Sequence, residues 1–522
     1  MNKKLAISAV ALILSLNVAG CSQKESVRTL TIYNWQDYIY EGDDENPGVV
    51  EQFKTYYYET YNETIEVEYY TFETNENMLN VLKTGKSNYD LVCPSDYTIQ
   101  KMIMEDMVQP LDKTKLNYYY EYASPYIQNI FEKSTAITKD KKEVSWADYA
   151  IPYMWGTMGF MYNPEMFDNV TKFEEDITSW NILWNENYKG RGTLKDSVRD
   201  TYCAGILKVY EDELNDLATK YASKEITGEQ YTEKVTEIMN RTDKETLDKV
   251  EKALKEAKNN VYGFEVDSGK SDIVTGKIDM NFCWSGDAVY SMDCAEEESG
   301  IYLNYYVPKE GSNVWFDGWV IPKDAEEVDL AHEFLNFICN PDIAYQNMEE
   351  IGYTSSIAGQ AIFDLVNEWY APSLSSDFSE DEWNELSLEE QEEILANDLI
   401  FATEESLNEA LENEEIYALD LSYFFGDTIE EEATIYYFEK NRQLNAQFPD
   451  YDTIVRCGVM EDFGDANEDV INMWSRVKSN EVPVWGWIVV VVAIIIAIIY
   501  FVYSYLTKKI RMQRINLKRQ TN

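Results

Sequence analysis

The chain has 522 residues, of which 45% are hydrophobic and 14% aromatic, so it can bury the cores of about three domain-sized units. Its 95 acidic residues outnumber 44 basic ones, and the formal net charge is −51. This excess argues against nucleic acid as a partner, because phosphate binding requires positive charge. A solvated acidic surface is its simplest interpretation.

The N-terminus reads MNKKLAISAVALILSLNVAGC. A basic start and an apolar run are followed by small residues and Cys21, a pattern that predicts a signal peptide at 1–20. The Val-Ala-Gly-Cys ending resembles the lipobox of bacterial lipoproteins. That resemblance implies cleavage before Cys21 and a diacylglycerol on its sulfur. An ordinary signal or an uncleaved anchor is the alternative.

The next part of the chain alternates between two patterns. LTIYNW, IEVEYYTF and YDLVCPS have the composition of strands, and VVEQFKTYYYETY and NMLNVLKTG between them have helical spacing. Strand–helix–strand–helix–strand order predicts an α/β fold with a mostly parallel sheet covered by helices. Further along, KIDMNFCWSGDAVYSMDCA has the pattern of a strand, a tight turn and a helix.

Two strongly acidic regions interrupt this pattern. Residues 209–260 and 374–440 are rich in charged residues with helical spacing. We predict that both are solvated helical decorations. A partner-binding role is the alternative, but neither region carries a specific motif.

The C-terminal region has a second membrane-like signal. Residues 484–506 carry no charge and, at about 1.5 Å per residue, would span roughly 34 Å as a helix. Aromatic residues lie towards the ends of this stretch, and the tail at 507–522 is basic. The pattern predicts a transmembrane helix with a cytoplasmic tail, so that the residues between Cys21 and 483 lie outside the cell. A buried core helix is the alternative.

Residues for covalent or metal chemistry are scarce. The only histidine is His332, no Cys/His cluster has metal-ligand spacing, and no Gly-x-Ser-x-Gly motif occurs. The sequence therefore predicts no catalytic residue, no metal and no cofactor. The cysteines beyond Cys21 show no CxxC spacing, and whether they pair stays open; Cys93 and Cys283 lie in apolar runs, where buried thiols are expected.

Aromatic and polar side chains recur in the turns that follow predicted strands. Ligands of open α/β sheets bind beyond the carboxyl ends of strands, so these turns are expected to converge. Aromatic faces attract ammonium groups by roughly 0.5–2 kcal/mol each, and a carboxylate fixes the charge. The pattern predicts a slot for an elongated amine, with core packing as the alternative for any single ring. The residues concerned are Trp35, Tyr38, Ser95, Tyr97, Trp284, Trp315, Asp317 and Tyr353.

The sequence resembles the spermidine/putrescine-binding proteins, the substrate-binding components of polyamine ABC transporters. The stretches that carry this resemblance are, in order, YNWQDYI, YDLVCPSDYTIQKM, IPYMWGTMGFMYN, WNENYKGR, FCWSGDA and EEIGYTSS. The resemblance implies a two-lobed periplasmic-binding-protein fold of type II that closes over its ligand like a hinge. It places the crossings at Ala150–Gly156 and Trp315–Pro322. Lobe 1 would comprise 29–150 and 316–372, and lobe 2 would comprise 151–315 and 373–480.

By the same resemblance, the eight residues of those turns are polyamine contacts. The family also uses an acidic pair three residues apart, for which LKDSVRD offers Asp200, while Ser197 stands at the other position beside Asp196. Met460 stands where the family has a glutamine. These departures leave the preference between spermidine and putrescine open.

The sequence thus predicts a polyamine-binding lipoprotein on the extracytoplasmic side of the membrane that delivers its ligand to an ABC permease. It would be held there by the lipid on Cys21 and the helix at 484–506, and it would perform no covalent chemistry. The alternatives are a binding protein for another amine-bearing solute and a membrane-anchored sensor of such a ligand; a hydrolase lacks the necessary residues.

Overall fold

A computed structural model describes residues 27–43, 46–85, 88–374, 386–387, 400–401, 404–438, 442–479, 492, 495–496 and 498–509. The chain divides into two compact units, Met1–Asn467 and Glu468–Asn522. The predicted signal peptide at 1–20 and Cys21 lie outside the described residues.

The strands are β1 Arg28–Trp35, β2 Ile65–Phe72, β3 Leu91–Val92, β4 Thr135–Ile137, β5 Glu143–Ser145, β6 Ala150–Tyr162, β7 Thr193–Lys195, β8 Gly263–Glu265, β9 Met280–Trp284, β10 Asn304–Tyr306, β11 Val314–Val320, β12 Thr354–Ser355, β13 Ser373–Leu374, β14 Ile400–Phe401, β15 Tyr417–Asp420 and β16 Thr434–Tyr437.

The helices are α1 Val49–Tyr61, α2 Asn75–Thr84, α3 Asp96–Met104, α4 Asn117–Tyr122, α5 Pro125–Lys133, α6 Val170–Ile177, α7 Val198–Val209, α8 Glu211–Ala222, α9 Gly228–Met239, α10 Lys244–Asn260, α11 Ser268–Val274, α12 Ser285–Ser299, α13 Val328–Ile338, α14 Pro341–Ile351, α15 Gln360–Tyr370, α16 Glu404–Glu412, α17 Ser422–Phe425, α18 Gln443–Gln447, α19 Tyr451–Val455 and α20 Asn467–Lys478.

The main sheet has the order β10-β6-β11-β3-β1-β2, and β9 and β12 also pair with β6. The prediction of parallel strands is confirmed for β1, β2 and β3. It is wrong for the other half of the sheet, where β9, β10, β11 and β12 all run antiparallel to β6. These four strands run in the opposite direction to β6, and the pattern of strands and helices in the sequence does not reveal that direction.

Strand β6 connects two groups of strands. All of its residues are buried. From Ala150 to Thr157 it pairs with β11, and from Met158 to Tyr162 it pairs with β9. The two stretches predicted as crossings therefore lie side by side, with Trp315 opposite Gly156.

The core of the β1–β3 side is built from amphipathic helices on strands. Helix α1 turns Phe53 inward, where its ring meets Phe334 of α13 edge to face at 5.1 Å. Both rings are fully buried. Burial of a side chain of this size contributes about 1.5–3 kcal/mol, so α1 and α13 are fixed to the sheet mainly by such contacts.

The acidic region 209–260 forms α8, α9 and α10, as the helical spacing predicts. It is more than a decoration, because α10 packs closely against α7. A Cβ atom added at Gly205 of α7 would lie 2.9 Å from the side chains of Val250 and Leu254. Helix α10 thus supports the helix that carries Asp200.

The second acidic region, 374–440, is only partly helical. Its described residues include α16 and α17, but β15 and β16 form an antiparallel pair there. Leu419 and Ile435 lie opposite each other in this pair and both are buried, so this part of the region is not a solvated helix. Much of 375–399 lies outside the described residues.

The prediction of a transmembrane helix at 484–506 is wrong. Among the described residues, none of the helices combines the length and the apolar character that a membrane crossing requires. Residues 480–491 lie outside the described part. The single-pass topology and the cytoplasmic tail lose their basis with this helix.

The six cysteines of the described part are free thiols, five of them buried. The expectation of buried thiols is confirmed for Cys93 and Cys283.

Candidate ligand-binding site

Asp317 lies on β11 where the strand's register against β6 shifts, between Asp317 and Gly318. Such a bulge re-aims side chains. The carboxylate is only 8% exposed. Its Oδ2 accepts a hydrogen bond from the hydroxyl of Tyr38 at 2.9 Å, and the hydroxyl of Ser95 also donates to it. Asp317 is thus a buried carboxylate held by neutral donors.

Burial raises the pKa of Asp317 to about 6, although the hydrogen bonds from Ser95 and Tyr38 lower it. The negative charge of Asp200 raises it further. In the described part of the chain, no lysine or arginine forms an ion pair with this carboxylate. A buried carboxylate without a cationic partner is costly, and a cationic ligand would remove that cost.

Ser95 is positioned by its helix and by Asn75. It is the N-cap of α3, yet its side chain makes no capping hydrogen bond. Instead, the amide of Asn75 donates to Ser95 Oγ at 3.0 Å and to the hydroxyl of Tyr97 at 2.9 Å. The hydroxyl hydrogen of Ser95 is therefore left for Asp317.

Asp200 supplies a second buried carboxylate, 7% exposed, in the first turn of α7. Burial raises its pKa, while hydrogen bonds from Ser197 and the indole of Trp284, together with the charge of Lys195, lower it. Ser197 is the N-cap of this helix, and its hydroxyl accepts the Asp200 N–H at 3.4 Å. The serine that departs from the family pattern thus caps the helix that presents Asp200.

Three aromatic rings pack together next to Asp317. Tyr353 lies edge to face with Tyr38 at 5.4 Å and with Trp315 at 5.5 Å. The indole N–H of Trp315 donates to the carbonyl of Thr157, which fixes its orientation. Edge-to-face pairs of this kind hold rings rigidly, so the faces are ready for a ligand before it binds.

Two glycines make room for these rings. A Cβ atom added at Gly156 would lie 2.7 Å from the ring of Trp315, and one at Gly286 would lie 2.3 Å from the ring of Tyr353. Neither distance is sterically allowed, so glycine at both positions is a requirement of the ring arrangement.

The predicted residues differ in how closely they gather. One contact cluster contains Tyr38, Ser95, Trp315, Asp317 and Tyr353. Tyr97 is linked to this cluster through its hydrogen bond from Asn75, which also donates to Ser95. Asp200 influences Asp317 by its charge and accepts a hydrogen bond from Trp284.

Different neighbours are seen for two other predicted residues, Trp35 and Asp196. The ring of Trp35 packs on Phe72 at 4.5 Å, and its indole N–H is buried without a hydrogen-bond partner among the described residues. Asp196 is half-buried, and its backbone N–H donates to the carbonyl of Glu265 at 2.7 Å.

The sequence interpretation missed Asn75, Lys195 and Asp287. Asp287 accepts a hydrogen bond from the hydroxyl of Tyr353 at 2.9 Å, and Lys195 lies over the ring of Trp284 at 4.2 Å. A signal existed for Asp287, which follows Trp284 by three residues. Nothing near Asn75 in the sequence indicates its role.

Comparisons with known proteins agree with this geometry. Residues 49–364, more than half of the chain, match the family described as bacterial extracellular solute-binding protein. The chain is 29% identical to the spermidine/putrescine-binding periplasmic protein of Salmonella typhimurium over 381 residues, which are 72% of this chain and 91% of that one. It is 28% identical to the putrescine-binding periplasmic protein PotF of Escherichia coli over 373 residues, 70% and 87% of the two chains.

Solved structures give the same picture. The spermidine/putrescine ABC transporter substrate-binding protein PotD of Streptococcus pneumoniae is similar with a TM-score of 0.50 and 25% identity, covering 87% of this chain and 100% of that one. The Tp0655 lipoprotein of Treponema pallidum, at 17% identity and a TM-score of 0.52, covers 86% and 99% and supports the fold alone.

Proposed function

The chain belongs to the bacterial extracellular solute-binding protein family, and we propose that its solute is a polyamine of the spermidine/putrescine class. The observation that carries the proposal is Asp317, a buried carboxylate that neutral donors hold and that aromatic rings surround. An ammonium group provides the missing charge, and methylene groups fit against ring faces. The names of the relatives agree with this ligand class.

In this proposal, the two groups of strands along β6 are the two lobes, with 29–150 and 316–372 forming one and 151–315 and 373–480 the other. Asp317 and Asp200 come from different lobes. A ligand that bridges them stabilises the closed form, because it binds that form better than the open one. Since both carboxylates are buried, the lobes must separate for ligand to enter.

We further propose that an ABC permease recognises the closed form and receives the polyamine, without any covalent step by this chain. The S. pneumoniae relative is itself described as the substrate-binding protein of an ABC transporter. Transport of this kind requires the binding protein on the extracytoplasmic side. The lipobox-like ending before Cys21 supports attachment there through a lipid. Labelling with a radioactive fatty acid tests the attachment: Cys21→Ala should abolish incorporation, and labelling that persists would contradict it.

A thermal-shift screen of the purified full-length protein tests the ligand class. Polyamines, amino acids and sugars are compared at equal concentration. A ligand at a hundredfold excess over its Kd stabilises the folded state by about 2.7 kcal/mol, so a specific ligand gives a clear shift. We expect putrescine or spermidine to raise the melting temperature and sugars to leave it unchanged. A shift with amino acids but not with polyamines would contradict the proposal.

A further inference from the structure

Lys195 places a positive charge inside the candidate site. It ends strand β7, and its side chain is only 1% exposed. Its ammonium lies over the ring of Trp284 at 4.2 Å, and the indole of Trp284 hydrogen-bonds to Asp200. Lysines are almost never fully buried unless they are paired, so this one has partners.

Two carboxylates and a carbonyl hold the ammonium of Lys195. Its Nζ donates to the carbonyl oxygen of Val266 at 2.6 Å and forms ion pairs with Glu265 at 3.2 Å and Asp287 at 3.6 Å. Glu265 Oε1 and Asp287 Oδ2 are buried without a hydrogen-bond partner in the described part. Both oxygens therefore depend on the lysine for compensation. Burial lowers the pKa of Lys195, but the carboxylates outweigh burial and the pKa is raised, so the charge persists at neutral pH.

The carboxylates around Lys195 differ in how their negative charges are compensated. Asp287 and Glu265 are balanced by Lys195 together with Lys270, which pairs with Asp287 at 3.5 Å. Asp96, which is close enough to feel the charge of Asp317, accepts hydrogen bonds from the backbone N–H groups of Tyr97 and Phe316.

Asp317 and Asp200 are two further buried carboxylates of the site, and neither forms an ion pair among the described residues. Each of these two carboxylates can receive one ammonium group of a diamine.

We propose that Lys195 is a built-in cation that makes the site selective for a diamine such as putrescine over a triamine such as spermidine. The inference rests on the proposed function. A diamine satisfies Asp317 and Asp200. The additional ammonium of a triamine extends towards Trp284 and Asp287, where it meets the charge of Lys195. Like charges brought together in a desolvated site disfavour binding, and specificity arises from such a repulsive element.

Calorimetric titration of the full-length protein with putrescine and with spermidine at pH 7 tests this. The wild type should bind putrescine more tightly. Lys195→Met removes the repulsion and leaves Glu265 and Asp287 for the third ammonium of spermidine. We expect the ratio of the two Kd values to shift towards spermidine by roughly tenfold or more, which corresponds to about 1.4 kcal/mol. Lys195→Arg keeps the charge and should keep the putrescine preference.

Lys277→Met is the matched control. Lys277 also lies over an aromatic ring, that of Tyr262 at 5.6 Å, and pairs with Asp272 at 2.8 Å, but it is half exposed and has no contact with the site residues. Its Kd ratio should equal that of the wild type. If Lys195→Met does not fold, Lys195→Gln is measured against the same criterion.

The outcomes separate the two proposals. An unchanged Kd ratio in a folded Lys195 variant that has lost the charge overturns the selectivity inference and leaves polyamine binding intact. A wild type that prefers spermidine also overturns it. A wild type that binds neither polyamine overturns the proposed function, and this inference with it.

Discussion

Replacing Asp317 with asparagine should weaken ligand binding and stabilise the ligand-free protein at the same time. The substitution removes the charge but keeps the shape, and the asparagine oxygen can still accept hydrogen bonds from Tyr38 and Ser95. Loss of one partner from a desolvated charge pair costs about 2–5 kcal/mol, so the Kd for the preferred polyamine should rise roughly 30- to 4,000-fold.

The stabilisation follows from the pKa of Asp317, which burial raises from 3.8 to about 6. The folded state therefore holds a proton where the unfolded state has lost it, and stability falls as the pH rises from 3.8 to 6. Above pH 6 the full cost, about 3 kcal/mol, is present. Asparagine carries no charge to desolvate, so the ligand-free variant should melt a few degrees higher at pH 7, and the difference should vanish near pH 4.

Calorimetric titration and a thermal melt of the same preparations measure both effects. Asp148→Asn is the control: it removes one negative charge from an exposed carboxylate that pairs with Lys113. Its affinity and melting temperature should match the wild type. An Asp317→Asn affinity within about threefold of wild type, or a ligand-free variant that melts lower, would show that Asp317 merely organises the bulge of β11.

Three further results are expected. Polyamine affinity should fall roughly tenfold from pH 7 to pH 5, because Asp317 takes up a proton that the ligand must displace; a flat titration series over that range would argue against its role. Gly156→Ala should weaken binding by about 1–3 kcal/mol, because the added Cβ displaces the ring of Trp315. Gly263→Ala, at a position with open space around it, should leave the Kd unchanged. Equal affinities of the two variants would refute this packing argument. Saturating ligand should reduce the radius of gyration in solution scattering, and an unchanged curve would contradict lobe closure.

The sequence pattern located several residues that the structure brings into contact because these residues follow strands. Asp317, Ser95 and Tyr38 each lie in or directly after a strand, and the ends of neighbouring strands meet in any sheet of this class. Local pattern therefore located them without knowledge of their partners.

Residues defined by contacts between distant segments were missed. Asn75 orients Ser95 and Tyr97 from the start of another helix, and Lys195 meets Asp287 across 92 positions of sequence. Such pairings depend on register and helix placement, which periodicity does not determine. The same limit explains the antiparallel partners of β6: a strand pattern carries no direction.

The errors in the acidic and C-terminal regions have a common origin. Composition shows how much apolar surface a segment has, but the elements that it packs against decide whether that surface is buried. Residues 209–260 read as solvated because charge dominates, yet Val250 and Leu254 suffice to fix α10 on α7. For the uncharged run at 484–506, a count of apolar residues was the main basis of the predicted membrane span.

A crystal structure of the full-length protein with putrescine tests the central claim most directly. We predict one ammonium within hydrogen-bond distance of Asp317, with Tyr38 and Ser95 as neighbours, methylene groups along Trp315, and the second ammonium at Asp200. The chain offers another place for a cation, the cleft of about 350 Å³ lined by Asp293, Glu296, Trp369 and Tyr370. Putrescine bound in that cleft, with Asp317 still bonded only to Tyr38 and Ser95, would contradict the account.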